Sequence, residues 1–170
     1  MPDTINPMLD DPNAVRVVET RAGLYQVDIQ AGGGHFLADE PVAFGGLGSG
    51  PNPYDLLAAA LGACSAMTLR LYARRKAWPL DRVTVEVSHT RSRLDARDTF
   101  KRQIVLSGVL SQEQRAKLAD IANRCPVHLT LERGADVVTQ FVEAPSPTED
   151  GEAGLHLRDM REACGPEGRA

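Results

Sequence analysis

The pattern of hydrophobic and polar positions begins with three short β-prone segments separated by glycine-containing turns. These segments cover residues 15–19, 25–29 and 35–38. Short β-prone runs joined by turn sequences are typical of consecutive antiparallel strands. The pattern therefore predicts a three-stranded antiparallel meander, followed by a glycine-rich loop over residues 39–51.

The most hydrophobic stretch of the chain follows this loop. Asn52 is a good helix N-cap, and Pro53 suits the first helical position. Apolar residues then lie on nearly every side of the predicted helix as far as Tyr72. A helix that is apolar all round is buried in a domain or in an interface. We therefore predict a central helix that forms the core, in a run too short and too rich in Ala and Gly to span a membrane.

In the second half of the chain, strict alternation returns and then gives way to helical patterns. Residues 83–87 predict a half-buried strand, and residues 100–110 predict its partner across a charged hairpin connection. Residues 111–114 form a capping box that opens a helix. Pro126 can start a further helical turn, and residues 135–142 predict a last strand. The whole pattern predicts an α+β fold with two antiparallel sheets.

Composition and charge narrow the class of protein. The chain has 170 residues, of which 42% are hydrophobic, and a net charge of −4. We predict one domain over residues 14–142, a loose lead-in over 1–13 and a polar tail over 143–170 that contains one short helix. The acidic balance argues against a nucleic-acid or membrane partner, and the lack of a signal-peptide pattern predicts a cytoplasmic protein.

Three cysteines, an odd number and far apart, do not form a disulfide framework. Cys64 lies among small residues of the central helix and is either a small hydrophobe in a tight contact or a reactive thiol. Cys125 precedes Pro126, so its thiol would lie at a helix N-terminus, where unpaired N–H groups favour the thiolate. The alternative is a helix junction with a buried thiol. Cys164, in the tail, is expected to be an incidental free thiol.

A metal site is the other interpretation of the Cys125-Pro-Val-His128 sequence. A zinc ion would need further ligands, and no second compact pair of Cys and His residues exists. Cys64 with His35 or His89 would have to complete the site. We therefore expect no metal and no organic cofactor.

The loop and helix GPNPYDLLAAALGACSAM, followed later in the chain by Cys125 in a Cys-Pro-Val-His element, resembles the OsmC/Ohr family. The resemblance extends over residues 15–142 and is greater to the OsmC-like branch than to the organic hydroperoxide resistance branch. It implies an intertwined homodimer in which two antiparallel sheets wrap around buried central helices. This implication agrees with the all-round apolar helix.

The resemblance also implies a chemistry, because well-studied members of the family are thiol peroxidases that reduce organic hydroperoxides. Cys64 would then be the peroxidatic thiolate and would become a sulfenic acid. Cys125 would resolve it as a disulfide before further oxidation. An external dithiol, such as a lipoylated protein, would reopen the disulfide, and an apolar pocket would favour alkyl or lipid hydroperoxides.

Two positions bear on how Cys64 would be held as a thiolate. In the hydroperoxide reductases, two residues hold the reactive thiol as a thiolate. They are an Arg near the first β-turn and a Glu just after the Pro that opens the helix. Arg21 lies at a plausible place for the Arg. The Glu position is Tyr54 here, and the nearest acid is Asp55, rotated by about 100° around the helix. Arg21 and Asp55 are therefore the candidate activating residues.

The sequence thus predicts a cysteine-dependent reductase of organic hydroperoxides that acts in oxidative-stress defence. Two alternatives remain open. One is a non-catalytic protein of the same fold that binds a small apolar ligand in its cleft. The other is a general thiol–disulfide oxidoreductase, which would act on disulfides without peroxide.

Overall fold

The computed structural model describes residues 15–143 and 154–165. The chain divides into two compact units, Met1–Pro53 with Val137–Gly154, and Tyr54–Asp136 with Leu155–Ala170. The predicted lead-in over residues 1–13, and the tail segments 144–153 and 166–170, lie outside the described residues. These units reflect contacts within one chain, so the single domain predicted over residues 14–142 stays a prediction.

The first unit contains the predicted three-stranded meander. Its strands are β1 (Arg16–Glu19), β2 (Val27–Ala31) and β3 (Gly34–Ala38). They are antiparallel in the order β1-β2-β3, which confirms the predicted topology. Ile29, in the middle of β2, pairs with Val17 on one side and Phe36 on the other, and it is the buried residue of its strand.

The glycine-rich loop after β3 is held by one buried carboxylate and by close backbone packing. Asp39 accepts hydrogen bonds from the backbone N–H of Leu47 at 2.9 Å and from the Ser49 hydroxyl at 2.9 Å. A short 3-10 helix, Val42–Phe44, lies inside the loop. A Cβ at Gly50 would lie only 1.9 Å from a backbone oxygen of β3, so this position requires glycine.

The second unit combines a hairpin with the helices of the chain. Its elements are α1 (Pro53–Arg75), β4 (Arg82–Thr90), β5 (Thr99–Ser107), α2 (Gln112–Ala122), α3 (Pro126–Arg133) and α4 (Leu155–Ala163). The strands β4 and β5 pair in antiparallel register along their whole length, and alternate residues face inward. The predicted capping box is present: Ser111 accepts from the Gln114 N–H, and the Gln114 side chain accepts from the Ser111 N–H.

The core of this unit lies between α1, α2 and α4. Its buried residues are Leu69, Tyr72, Ala73, Leu80, Leu118, Ile121, Ala122 and Cys164. Cys164 therefore belongs to the core and is not the incidental tail thiol that the sequence suggested. The helix predicted near residue 155 is α4, which buries Met160.

The helix α1 is a core helix of the second unit, but it is buried on one side only. Met67, on the other side, is 52% exposed, so the prediction of burial all round is wrong within a single chain. The prediction that this run is too short and too rich in Ala and Gly to span a membrane is wrong by length and hydropathy alone. Its 23 residues have the length and hydropathy to cross a membrane, a test that core helices of soluble proteins also pass. Its buried side is shared with β4, β5 and α2.

The strand predicted over residues 135–142 is wrong. These residues have no regular secondary structure, and Val137 and Phe141 are exposed. β-prone residues form a strand only where a sheet edge accepts their backbone hydrogen bonds. Within the described part of the chain, this segment pairs with no strand.

Candidate thiol site

The helix α1 places Cys64 and Ser65 on its buried side, next to the start of α3. Leu61 and Cys64 form a buried cluster with Cys125. Apolar side chains from both strands and from α3 pack around this cluster; they are Val87, Phe100, Val127 and Leu131. The two cysteines, which are far apart in sequence, therefore share one small apolar core.

The N-terminus of α3 supplies hydrogen bonds to both thiols. Cys125 is the N-cap residue of α3, and Pro126 opens the helix. The Cys125 sulfur accepts from the backbone N–H of His128 at 3.4 Å. The N–H of Val127 donates to the Cys64 sulfur, also at 3.4 Å. The free backbone N–H groups at the start of α3 are thus divided between the two sulfurs. The position of Cys125 at this helix N-terminus confirms the prediction.

Both cysteines are free thiols and both are inaccessible. Cys64 is 2% exposed and Cys125 is fully buried. A hydrogen bond links the two side chains. The structure therefore contains a reduced dithiol whose two sulfurs are neighbours.

A basic side chain that the sequence analysis missed completes the site. Arg102 of β5 donates to the Ser65 hydroxyl oxygen at 2.7 Å, and the same nitrogen lies 3.9 Å from the Cys125 sulfur. Its other terminal nitrogen donates to the Asn123 side-chain oxygen at 3.0 Å. The Ser65 oxygen is also 3.6 Å from the Cys125 sulfur. One signal in the sequence could have identified Arg102, namely its inward position in β5 between Phe100 and Ile104.

The two thiols have opposite electrostatic environments. The hydrogen bond from Cys64 lowers the pKa of Cys125 from 9.0 to about 5 against the cost of burial, helped by the His128 N–H, Ser65 and the charge of Arg102. The same hydrogen bond, together with burial, raises the pKa of Cys64. The two thiols are therefore coupled, so that ionisation of one sulfur opposes ionisation of the other.

A pocket with a mixed apolar and charged lining lies over the thiol cluster. It has a volume of about 390 Å³. Leu61, Phe100 and Leu131 belong both to its wall and to the cluster around the sulfurs. Charged residues also line it; they are Arg97, Asp98, Glu132 and Arg133. Neither cysteine lines the pocket, so the shared apolar side chains separate it from the sulfurs.

Asp55, the predicted activating acid, does not line the pocket over the thiols. Asp55 lines a groove with small residues of α1 such as Gly62, whereas Tyr54 lines the pocket over the thiols. Tyr54 stacks on His89 with ring centroids 4.3 Å apart. Arg21 is an exposed turn residue of the first unit with a φ of 62°. The roles predicted for Arg21 and Asp55 stay predictions.

No group of three or more His, Cys, Asp or Glu side chains converges within residues 15–143 and 154–165. The His128 ring faces Glu132, at 3.6 Å, and not the sulfur of Cys125. His89 Nε2 is hydrogen-bonded to Asp98 at 2.7 Å. The two sulfurs are held by hydrogen bonds from the start of α3.

Comparison with known structures supports this fold. A 26% identical protein from Legionella pneumophila, an organic hydroperoxide resistance protein OsmC, has a TM-score of 0.50 over 69% of this chain and 87% of its own. An OsmC like protein from Mycoplasma pneumoniae is 19% identical, with a TM-score of 0.60 over 72% and 89%. An osmotic stress induced and detoxification response protein from Psychrobacter arcticus is 21% identical, with a TM-score of 0.61 over 68% and 85%.

Two sequence comparisons complete the picture, and the second gives the family. A search of curated protein sequences finds no significant match to the chain. The model of the OsmC-like protein family matches residues 46–140, which is more than half of the chain and includes both Cys64 and Cys125. The chain therefore belongs to the OsmC-like protein family.

Proposed function

We propose that this protein reduces organic hydroperoxides with Cys64 as the peroxidatic and Cys125 as the resolving cysteine. The observation that carries the proposal is the buried dithiol beneath a pocket with an apolar wall on the side of the sulfurs. Two thiols in contact form a disulfide as soon as one becomes a sulfenic acid, which protects that sulfur from over-oxidation. The Legionella pneumophila relative is an organic hydroperoxide resistance protein, which agrees with this choice of substrate.

The proposed reaction has two steps on the protein. The Cys64 sulfur attacks one peroxide oxygen, the O–O bond breaks, and the alcohol leaves with a proton. The Cys125 sulfur then attacks the Cys64 sulfenic acid, hydroxide leaves, and a disulfide forms. An external dithiol, such as a lipoylated protein, returns two electrons and restores both thiols.

The pocket favours an organic peroxide over hydrogen peroxide. Its apolar wall of Leu57, Leu61, Phe100 and Leu131 would remove an alkyl or aryl group from water. Hydrogen peroxide has no such group and gains nothing from that wall. Because both sulfurs are covered, turnover requires the side chains shared by pocket and cluster to move aside.

We also propose that the protein acts in the cytoplasm and as a homodimer. The apolar and exposed side of α1 that includes Met67 would be covered by the second copy. Arg21 and Asp55 remain the proposed partners of Cys64 by family analogy. They would act in addition to the contacts within one chain described above.

Peroxide consumption by the purified protein tests this proposal. Cumene hydroperoxide and hydrogen peroxide are compared, with dihydrolipoamide as the reductant, for the wild type, Cys64→Ser and Cys125→Ser. Cys164→Ser is the matched control, because it changes the third buried thiol, which lies in the other cluster. We expect rapid turnover of the organic peroxide that is lost in Cys64→Ser and kept in Cys164→Ser. Peroxide consumption no faster than that of free thiols in solution would refute the proposed peroxidase activity.

A non-catalytic ligand-binding protein is the second candidate, favoured by the fact that neither sulfur lines the pocket. Such a protein would bind a small apolar ligand with the same affinity when Cys64 and Cys125 are changed to Ser. A general thiol–disulfide oxidoreductase would instead reduce a disulfide substrate with no peroxide present. Isothermal titration with cumyl alcohol, and a disulfide-reduction assay on the same variants, separate the three functions.

A further inference from the structure

A second cavity of the second unit lies between β5, α2 and α1, and we call it the β5–α2 groove. Its volume is about 480 Å³, within the range of about 300–1,000 Å³ that is usual for small-molecule sites. Among the described residues, it shares no lining residue with the pocket over the thiols, and neither Cys64 nor Cys125 lines it. A ligand in this groove would therefore be bound apart from the proposed peroxide site.

The floor of the groove is part of the hydrophobic core of the second unit. Three elements supply its apolar lining residues, which are Leu69, Ile104, Leu106, Leu118, Ala119 and Ala122. Leu69, Leu118 and Ala122 are buried members of that core, and Ile104 and Leu106 pack against it. A hydrocarbon chain that lay along this floor would lose contact with water, which favours binding.

Arg102 is a half-buried lining residue of the groove, and its guanidinium has unused donors. Its Nη1 donates to the Ser65 hydroxyl oxygen at 2.7 Å and to the Ala122 carbonyl at 3.1 Å, and it lies 3.9 Å from the Cys125 sulfur. Its Nη2 donates to the Asn123 side-chain oxygen at 3.0 Å. A guanidinium has five N–H donors. The Nε hydrogen and one Nη2 hydrogen therefore have no acceptor among the described residues.

Asn123 adds a second donor beside this guanidinium. A guanidinium can only donate, so the Asn123 atom that accepts from Arg102 is the oxygen. The amide nitrogen of Asn123 keeps both of its hydrogens, with no acceptor among the described residues. Asn123 is exposed and lines the groove. This end of the groove, at the C-terminus of α2, therefore offers a cationic and a neutral N–H donor, from which a carboxylate can accept.

Arg115 lies at the opposite end of the groove. It donates to the carbonyls of Leu106 and Gly108, where β5 ends, at 2.9 and 3.2 Å. The stretch of β5 from Arg102 to Leu106 is roughly 14 Å long at about 3.4 Å per residue. The groove therefore runs between two guanidinium groups, of which that of Arg102 is half-buried and that of Arg115 is exposed.

The wall of the groove is positively charged. In the described part of the chain, no acidic side chain lines it, and no carboxylate pairs with either guanidinium. The acid of α2 closest in sequence to Asn123 is Asp120, which is ion-paired with Arg124 at 2.9 Å and with Lys117 at 3.4 Å. The chain as a whole has a net charge of −4, so this wall is a local exception that favours an anion.

We propose that the β5–α2 groove binds an aliphatic monocarboxylate, with the carboxylate at Arg102 and Asn123 and the hydrocarbon chain along the apolar floor towards Arg115. The carboxylate is placed at Arg102 because a half-buried charge is screened less by water and salt than the exposed charge of Arg115. The guanidinium and the amide select an anion, and the floor selects a chain. This binding site is separate from the proposed peroxidase reaction and does not depend on it.

A second copy of the chain is the other occupant to consider. The surface proposed above for the homodimer is the exposed side of α1 that includes Met67, whereas Leu69 of the groove is on the buried side. A copy that covered the groove would bury the charges of Arg102 and Arg115, and charged residues are depleted at the centres of protein interfaces. A small anion fits this wall better. If a second copy does cover the groove, the wild-type protein will not bind the carboxylate.

Isothermal titration of the wild-type protein with octanoate tests the site under reducing conditions. Octan-1-ol has the same chain without the charge, and butanoate has the same carboxylate with a shorter chain. We expect saturable binding of octanoate, and binding at least about tenfold weaker for each of the other two compounds. Absence of octanoate binding, or an equal affinity for either comparison compound, would refute the proposal.

Four variants locate the site. Arg102→Gln should weaken octanoate binding at least about tenfold, because it removes the charge at the carboxylate, and Arg115→Gln should weaken it less. Ala119→Leu fills the groove without a change of charge and should also weaken binding; because Ala119 is exposed, this variant serves if Arg102→Gln does not fold. Lys117→Gln is the matched control, since Lys117 is a base of α2 that pairs with Asp120 and does not line the groove.

The fluorescence of Trp78, which packs against the same core, shows whether each variant is folded. Unchanged binding in Ala119→Leu, or equal losses in Lys117→Gln and Arg102→Gln, would mean that octanoate binds elsewhere. A larger loss in Arg115→Gln than in Arg102→Gln would mean that the carboxylate lies at the other end. Each of these results would contradict the proposal, whether or not the protein reduces peroxides.

Discussion

The unequal ionisation of the two thiols predicts that the stability of the second unit depends on pH through Cys125. This cysteine has an ordinary pKa of 9.0 in the unfolded chain and a pKa of about 5 in the folded protein. Between these values the folded state holds one proton fewer than the unfolded state. The free energy of unfolding should therefore rise with pH in this window.

The sign and size follow from proton linkage. The contribution of Cys125 to the free energy of unfolding is absent below about pH 5 and grows by about 1.4 kcal/mol per pH unit above it. It is complete above the pKa of Cys125 in the unfolded chain. Cys64, whose pKa is raised, acts in the opposite direction, but only above pH 9.0, where the unfolded thiol ionises and the folded one does not. From about pH 6 to about pH 8 we therefore expect a gain of at most about 3 kcal/mol.

The single tryptophan of the chain makes the measurement specific to the second unit. Trp78 packs edge-on against Tyr72, with ring centroids 5.5 Å apart. Urea unfolding under reducing conditions, followed by Trp78 fluorescence, gives the free energy at each pH. The wild type is compared with Cys125→Ser, which removes the linkage, and with Cys164→Ser. Burial raises the pKa of Cys164, so the Cys164 thiol is neutral in this pH window and its removal should not change the pH dependence. The Cys164→Ser variant therefore keeps the linkage through Cys125.

The comparison between variants isolates the contribution of Cys125, because the three proteins differ only at the substituted cysteines. The wild type and Cys164→Ser should gain stability from about pH 6 to about pH 8 relative to Cys125→Ser. Equal pH dependence in all three proteins would mean that the folded thiol of Cys125 is neutral. The electrostatic account of the site would then be refuted.

Three further predictions concern packing and capping in the second unit, measured by the same unfolding assay. Leu118→Ala should cost about 2–5 kcal/mol, because this side chain is fully buried; a cost below about 1 kcal/mol would contradict its place in the core. Ser111→Ala should cost about 0.5–2 kcal/mol through loss of the capping box, and an unchanged midpoint would show that the box is not needed. Cys164→Ser should cost roughly 1 kcal/mol of the free energy of unfolding, since the Cys164 thiol donates to the Thr68 carbonyl. It should leave peroxide turnover unchanged, because Cys164 belongs to the other cluster. Loss of turnover would contradict the separation of Cys164 from the dithiol.

Local patterns accounted for most elements of the fold. The meander and the β4-β5 hairpin follow from alternation and turn residues, which act over a few neighbouring positions. The capping box at Ser111 and the position of Cys125 before Pro126 likewise predicted where α2 and α3 begin. The strand predicted over residues 135–142 failed because pairing depends on a distant sheet edge and not on local β-propensity.

By itself, the sequence determined most of the helices and strands, and it identified Cys64 and Cys125 as the reactive candidates. Only the tertiary structure decided that the two thiols are neighbours and that Arg102 lies beside Cys125. Helix caps and strand alternation are set by residues within a turn or two. The ionisation of a thiol depends on a charge that β5 brings from Arg102, far along the chain, into a space without water.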